Sequence, residues 1–420
     1  MQYFILAGIA SFIFSPLTAE SFRVVRAESV GMSTKRLEIL TNQLDDYVDK
    51  NQLSGGVALV LRKGKAAYFR SFGYRDLEYK DPMEKDDIFR IASQTKAIIS
   101  VAIMILQERG QLLIKDPVGH YISEFNNTFV AIKKDGGFNV VKSKRKITVR
   151  DLLTHTAGVG WGLGPGKKYW EKADIIGWYF ADKNETIQQT VKRIAKLPMD
   201  AQPGERFVYG LSTDILGALI EVVSGISLNR FLDAEIFKPP RMKDTHFYLD
   251  DTKGGRLTAQ YTPGKDKKIR LQDPGSARSR FITSPRNIFS GSGGLVSTIH
   301  DYLKFQQMML NGGQLDGVRI LAPSTVSLML ENHTRDLKLW LAGPGMGFGL
   351  GYGVVVDRGK AATPMSQGSG YWGGAYCTFS WIDPTQGVVG VLMTQVRPYS
   401  HINIRQDFQV LAYQAITDIK

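Results

Sequence analysis

Apolar positions along this chain follow several rhythms, and each predicts a different element. After Ser33, Leu37, Leu40, Leu44 and Tyr47 repeat at helical spacing until Gly55 and Gly56, which predicts a helix capped by Ser33. Apolar stretches at 57–61 and 66–69 flank a polar turn at 62–65 and predict a β-hairpin. The unbroken apolar run at 97–106, stopped by Gly110, predicts a helix buried on all sides. From Ser93 to about Val223 the pattern is mostly helical, interrupted by a glycine-dense loop at 158–166 and a turn at Pro203 and Gly204. Ser212 is expected to cap a helix over 213–223 that closes at Gly225. Further on, 302–310 predicts an amphipathic helix, 352–356, 375–381 and 388–393 predict strands, and 406–419 predicts a last helix. Sheet-forming sequence at both ends predicts one composite domain over 29–420. Its sheet is expected from 29–91 and about 290–420, with a helical region at about 93–225.

Composition narrows the class. The apolar content of 43% and charged content of 22% are those of an ordinary globular protein. An excess of 53 basic over 40 acidic residues gives a charge of +13, but the basic residues are scattered apart from 133–134 and 142–146. They are not interleaved with aromatics, so a nucleic-acid partner is not expected. One cysteine, Cys377, excludes an intrachain disulfide and reads as a small core residue. The six histidines are dispersed, so no metal site is expected; no other cofactor is expected either. The uncharged apolar run at 3–14, followed by Pro16 and Ala19, has the length of a signal-peptide core, with residues 1–19 removed on export to a periplasm or the exterior; an uncleaved anchor is the alternative. After such processing no stable membrane span is expected. Nothing in the sequence bears on oligomeric state.

Candidate chemistry enters at Ser93-Gln94-Thr95-Lys96, where a strand-like segment meets the buried helix. A serine there lies near the positive end of the helix dipole, and a lysine three residues on shares its face. That arrangement activates a nucleophile and stabilises the oxyanion it creates. Ser143 and Lys146 share the spacing but fall in a charged stretch that reads as a solvated loop.

Four further segments lie in order along the chain: Leu152-Leu153-Thr154-His155-Thr156-Ala157-Gly158, Pro203-Gly204-Glu205-Arg206-Phe207-Val208-Tyr209, Gly291-Ser292-Gly293-Gly294-Leu295-Val296-Ser297 and Trp372-Gly373-Gly374. With the Ser93 motif, they make the chain resemble the serine β-lactamase and penicillin-recognising superfamily, in particular its branch of class C β-lactamases, D-alanyl-D-alanine carboxypeptidases and family VIII carboxylesterases. The resemblance covers about residues 57–393. It implies an α/β (α+β) fold of the β-lactamase/transpeptidase type, with an antiparallel sheet flanked by helices and an inserted helical region.

The resemblance further implies an acylated Ser93, with Lys96 as its proton acceptor or electrostatic partner and Tyr209 as a second proton-transfer group. The amides of Ser93 and Ala375 would form the oxyanion hole, and Gly373 and Gly374, at a strand's start, would let substrate approach the backbone. His155 is expected in a hydrogen-bonded packing role. Residues 160–199, with Trp161, Trp170, Trp178 and Tyr179, are expected to line or roof the pocket. Where many relatives carry Tyr-x-Asn and a basic third motif, this chain has Leu211 and Trp372. Both replacements are apolar and are expected to favour apolar acyl or alkoxy groups. Lys96 is then the only motif cation beside Tyr209, and turnover is expected to rise towards alkaline pH. The expectation is an exported serine esterase on small or short-chain esters, taking a small-molecule ester or amide. A β-lactamase or D-Ala peptidase comes second, and an acylated binding protein without efficient turnover third.

Overall fold

In the computed structural model, which describes residues 22–135, 137–177, 183–276 and 278–418, the first helical rhythm becomes α1 (Thr34–Asp49). Ser33 Oγ accepts the Arg36 amide and so satisfies one of the helix's unpaired donors. Strands β1 (Gly55–Arg62) and β2 (Lys65–Asp76) follow, joined through Lys63 and Gly64 at φ +51° and +73°. That left-handed pair matches the twist of a tight hairpin. After the short β3 (Asp81–Pro82) the chain leaves the sheet. It returns for β4 (Met346–Phe348), β5 (Gly353–Val355), β6 (Gly370–Gly373), β7 (Phe379–Asp383) and β8 (Val388–Thr394). Among the described residues these strands form one antiparallel sheet in the order β4-β5-β6-β7-β8-β1-β2-β3. Its central seam pairs β1 with β8, Gly56 opposite Thr394 and Arg62 opposite Val388.

Because side chains alternate across a strand, β1 serves two cores. Val57, Leu59 and Leu61 face a cluster with α2 (Thr95–Glu108), α3 (Ser212–Ser224) and α4 (Ile299–Leu310). Ala58 and Val60 face the cluster of α1 and α5 (Ile404–Tyr413), which includes Leu40, Leu44 and Phe408. Every residue of β1 is therefore buried. Helix α2 carries twelve consecutive buried residues, Thr95 to Leu106, and forms the centre of the inner layer.

Several elements differ from the sequence pattern. The region between Ser93 and Val223 contains a hairpin, Phe129–Lys134 with Gly137–Lys142, extended in parallel by Pro198–Met199. The last helix starts at Ile404 and ends at Tyr413, short of the expected 419. The strand expected from Ala375 starts only at Phe379, the preceding residues forming a turn. Ser212 lies inside α3 rather than at its cap: Leu211 is the N-cap residue, and the buried Ser212 Oγ has no hydrogen-bond partner among the described residues. The segment expected to be a signal peptide, 1–19, lies outside the described residues, as do Trp178 and Tyr179. Among the described residues no single helix is long and apolar enough to cross a membrane.

Candidate active site

Ser93 occupies a 3₁₀ turn, Ala92–Gln94, immediately ahead of α2. The approach to it is pinned from one side. Phe89–Arg90 pairs with Val296–Ser297, the Ile91 amide donates to Leu295 O at 3.1 Å, and the Leu295 amide donates to Thr95 Oγ1 at 3.2 Å. Between these anchors Ala92 has φ +43°. An L-residue there costs about 1–3 kcal/mol and persists only where the surroundings over-determine it. Ser93 remains half-exposed while the residues that follow it are buried.

One turn on, Lys96 is fully buried. Its Nζ donates to Ser292 O at 2.6 Å and lies 3.4 Å from Ser93 Oγ. It also lies 4.7 Å from the ring centre of Tyr209 and 5.5 Å from that of Trp161. A carbonyl and two aromatic faces thus compensate an amine withdrawn from water. The carbonyl's own segment is fixed by α3: Asp214 Oδ1 accepts Ser290 Oγ at 2.7 Å and the Ser292 amide at 3.2 Å, and Thr213 Oγ1 lies 3.0 Å from Ser292 Oγ. Burial raises the Asp214 carboxyl above its ordinary pKa, against the hydrogen bonds from Ser292 and Ser290 and the charge of Lys96.

Tyr209 approaches from the irregular segment before α3, placed by a hydrogen bond from the Val208 amide to His155 O at 2.8 Å. Its Oη accepts Trp372 Nε1 at 3.3 Å, and its ring lies 4.6 Å from His155, 5.5 Å from Trp372 and 5.8 Å from Trp161. Ser93, Lys96 and Tyr209 are therefore brought together, with the lysine between the other two. His155 packs here as expected, but its expected hydrogen bonding is corrected: neither ring nitrogen has a partner among the described residues. Burial first, and the Lys96 charge second, hold its imidazole well below the usual 6.5, so it is neutral at working pH.

The glycine pair also departs from expectation in place. Gly373 ends β6, and Gly374 and Ala375 open the turn to β7, so the pair closes a strand instead of starting one. The need for glycine is steric. A Cβ on Gly374 would lie 2.2 Å from Ile91 O, so only the bare backbone lets this turn touch the segment leading into Ser93. Thr378 Oγ1 closes the same contact by donating to Ile91 O at 3.4 Å. Ala375 is half-buried beside it.

Two expected pocket residues lie elsewhere. Leu211 is fully buried in the main core and offers no surface to a ligand. Trp170 is equally buried, its Nε1 donating to Pro198 O at 2.9 Å. Trp161 does border the site. Trp372, 7% exposed, stands in a hydrophobic cluster with Phe207, Phe348 and Leu339, and its edge-on contact with Phe348 spans 5.0 Å. Beyond Leu339 the same loop exposes Trp340 and Leu341. Ser292 and Asp214 were not singled out from sequence. The signal for Ser292 is the segment 291–297, and Asp214 lies five residues after Tyr209 on a helix that is apolar from Ile215 to Ile220. Among the described residues no group of three or more His, Cys, Asp or Glu side chains is placed to hold a metal ion.

An antiparallel sheet between helical layers, with a serine and a buried lysine at the head of the central helix, defines a serine hydrolase of the β-lactamase/transpeptidase fold. The chain belongs to the Beta-lactamase family, whose model matches residues 40–413. An uncharacterised protein of Mycobacterium tuberculosis is 31% identical over 366 residues, 84% of this chain and 88% of its own. Esterase EstB of Burkholderia gladioli is 29% identical over 365 residues, 83% of this chain and 88% of its own. The solved structure of EstCE1, described as a hydrolase with promiscuous acyltransferase activity, superimposes with a TM-score of 0.77 at 26% identity, covering 92% of this chain and 99% of that one.

Proposed function

We propose that this protein is an esterase that cleaves small, apolar esters through an acyl-Ser93 intermediate. The observation that carries this reading is the position of Lys96 Nζ, buried between Ser93 Oγ and the Tyr209 ring and held by Ser292 O. Ser93 Oγ attacks the ester carbonyl carbon as its proton passes to the Lys96–Tyr209 pair. The amides of Ser93 and Ala375 receive the charge that develops on the carbonyl oxygen. Collapse breaks the bond to the alkoxy oxygen, which leaves with the stored proton, and water then attacks the acyl-serine by the same route. Preference for apolar esters over β-lactams rests on Trp372, an aromatic donor to Tyr209 at the position where relatives place a basic side chain. The esterase name of the Burkholderia relative supports the same direction.

Side-by-side turnover of p-nitrophenyl butyrate and nitrocefin decides the matter. Efficient ester cleavage, weak nitrocefin cleavage and loss of both in Ser93→Ala are the expected results. Ester turnover that survives Ser93→Ala would dismiss the nucleophile, and faster nitrocefin turnover would make the protein a β-lactamase.

A further inference from the structure

The Gly374–Ala375 peptide has two ends, and a different residue attends each. Its N–H belongs to Ala375; its carbonyl, Gly374 O, accepts Arg405 Nη2 and, within the turn, the Cys377 amide at 3.0 Å. Arg405 sits in the first turn of α5, where the helix dipole disfavours a cation. Its placement therefore has another cause. Nη1 donates to Tyr399 Oη at 2.6 Å, and the guanidinium carbon lies 4.1 Å from the Tyr399 ring centre. The same carbon lies 2.9 Å from where a side chain on Gly373 would begin, so the guanidinium fills the space below the end of β6. Among the described residues it has no carboxylate within ion-pair distance. The titratable groups around it are Tyr399 and Cys377, both kept protonated by burial. A half-buried cation with no counter-anion among the described residues thus divides its donors between the Tyr399 hydroxyl and one backbone carbonyl.

We propose that Arg405 is a positioning residue for the reaction, holding and polarising the peptide unit whose N–H end faces the developing oxyanion. Hydrogen bonds in series strengthen one another, and those with an ionised member are the stronger kind. A charged donor on Gly374 O makes the Ala375 N–H a better donor, and it fixes the turn that Gly374 presses against Ile91. This inference rests on the acyl-Ser93 reading and on Ala375 as an oxyanion donor.

The test uses the full chain with Arg405→Met, Arg405→Lys and Tyr399→Phe, assayed on p-nitrophenyl butyrate. An infrared measurement of the acyl-enzyme formed from carbonyl-¹³C p-nitrophenyl pivalate accompanies it. Loss of an entire oxyanion donor lowers kcat about 10²–10³-fold, so weakening one is expected to lower it about tenfold. KM should stay within about twofold, because the contact strengthens only as charge develops. The ¹³C carbonyl band should move to higher wavenumber in Arg405→Met, with Arg405→Lys between it and the parent. A kcat within twofold of the parent overturns the proposal. So does a loss of kcat with the band unmoved, which is the signature of a merely structural residue. If Arg405→Met does not fold, the band in Arg405→Lys and Tyr399→Phe carries the same decision. Ester turnover that survives Ser93→Ala dismisses the proposed function itself. A dead Ser93→Ala beside an unaffected Arg405→Met dismisses only this inference.

Discussion

The two flanks of Ser93 are built from opposite materials. On the Lys96 side the structure is polar and closed: an amine without solvent exposure, a carbonyl, two serines, a threonine and a buried carboxyl, each held by another. On the Tyr209 side it is aromatic, with Phe207, His155, Trp372, Phe348 and Trp161 in edge-on or tilted contact. A buried polar network tolerates little rearrangement, because each further unpaired member is expensive in a medium of low dielectric, and here Asp214 Oδ2 already lacks a partner among the described residues. An aromatic wall is held by shape and area and can be re-cut with smaller loss. The polar flank thus fixes the amine, while the aromatic flank carries the Tyr209 hydroxyl and, around it, the surface left to set substrate preference.

Substitutions should reproduce that asymmetry. Lys96→Met keeps the volume and removes the amine; its kcat on p-nitrophenyl butyrate should fall about 10³-fold, in the range of a lost general base. A loss below tenfold would place the proton acceptor on the aromatic flank instead. Gly374→Ala pushes a methyl into Ile91 O and displaces the turn, so about a 10²-fold fall in kcat is expected, on the scale of one lost oxyanion donor. Steady-state kinetics showing a change confined to KM would contradict it. Trp372→Phe keeps an aromatic ring in the wall but removes part of its buried volume together with the hydrogen bond to Tyr209 Oη, the latter worth about 0.5–1.5 kcal/mol. Its kcat should drop about three- to tenfold, and a larger drop would mean that Trp372 does more than tune the Tyr209 hydroxyl.

The smallest effect concerns stability. Asp200 sits where side chains on Gly160 or Gly164 would fall, and its Oδ1 has no partner among the described residues. Burial, opposed weakly by Arg206, pushes its pKa up to about 6. A carboxyl raised above its unfolded value favours the folded state while protonated. That contribution is full below about pH 4 and is lost as pH rises through 6. Asp200→Asn cannot ionise, so it should melt about 2 °C above the parent at pH 7.5. The two should melt together at pH 4, and equal melting at pH 7.5 would show that the carboxyl is solvated.

Local pattern revealed those parts whose causes are local. The Ser33 cap, the hairpin at Lys63 and Gly64, and the spacing of Ser93 and Lys96 each depend on a handful of adjacent residues. The hairpin at 129–142 escaped notice because its strands are half polar and mostly exposed, so neither a buried run nor a helical face marks them. Leu211 shows a different limit. Motif position located it beside Tyr209, but its direction is set by the start of α3, which turns it into the core. The partner of Lys96 lies 196 residues away and contributes a backbone carbonyl, an atom that every residue type carries. No side-chain pattern announces such a group.

The seam between β1 and β8 also has a consequence for how the molecule is made. A ribosome releases Val57 to Leu61 early, yet their permanent neighbours at 389–393 arrive only after more than three-quarters of the chain has been synthesised. Through that interval one edge of a strand apolar from Val57 to Leu61 awaits its mate, the kind of surface on which nascent chains aggregate. Yield of this protein should therefore depend on translation speed and on chaperones that shield extended apolar segments.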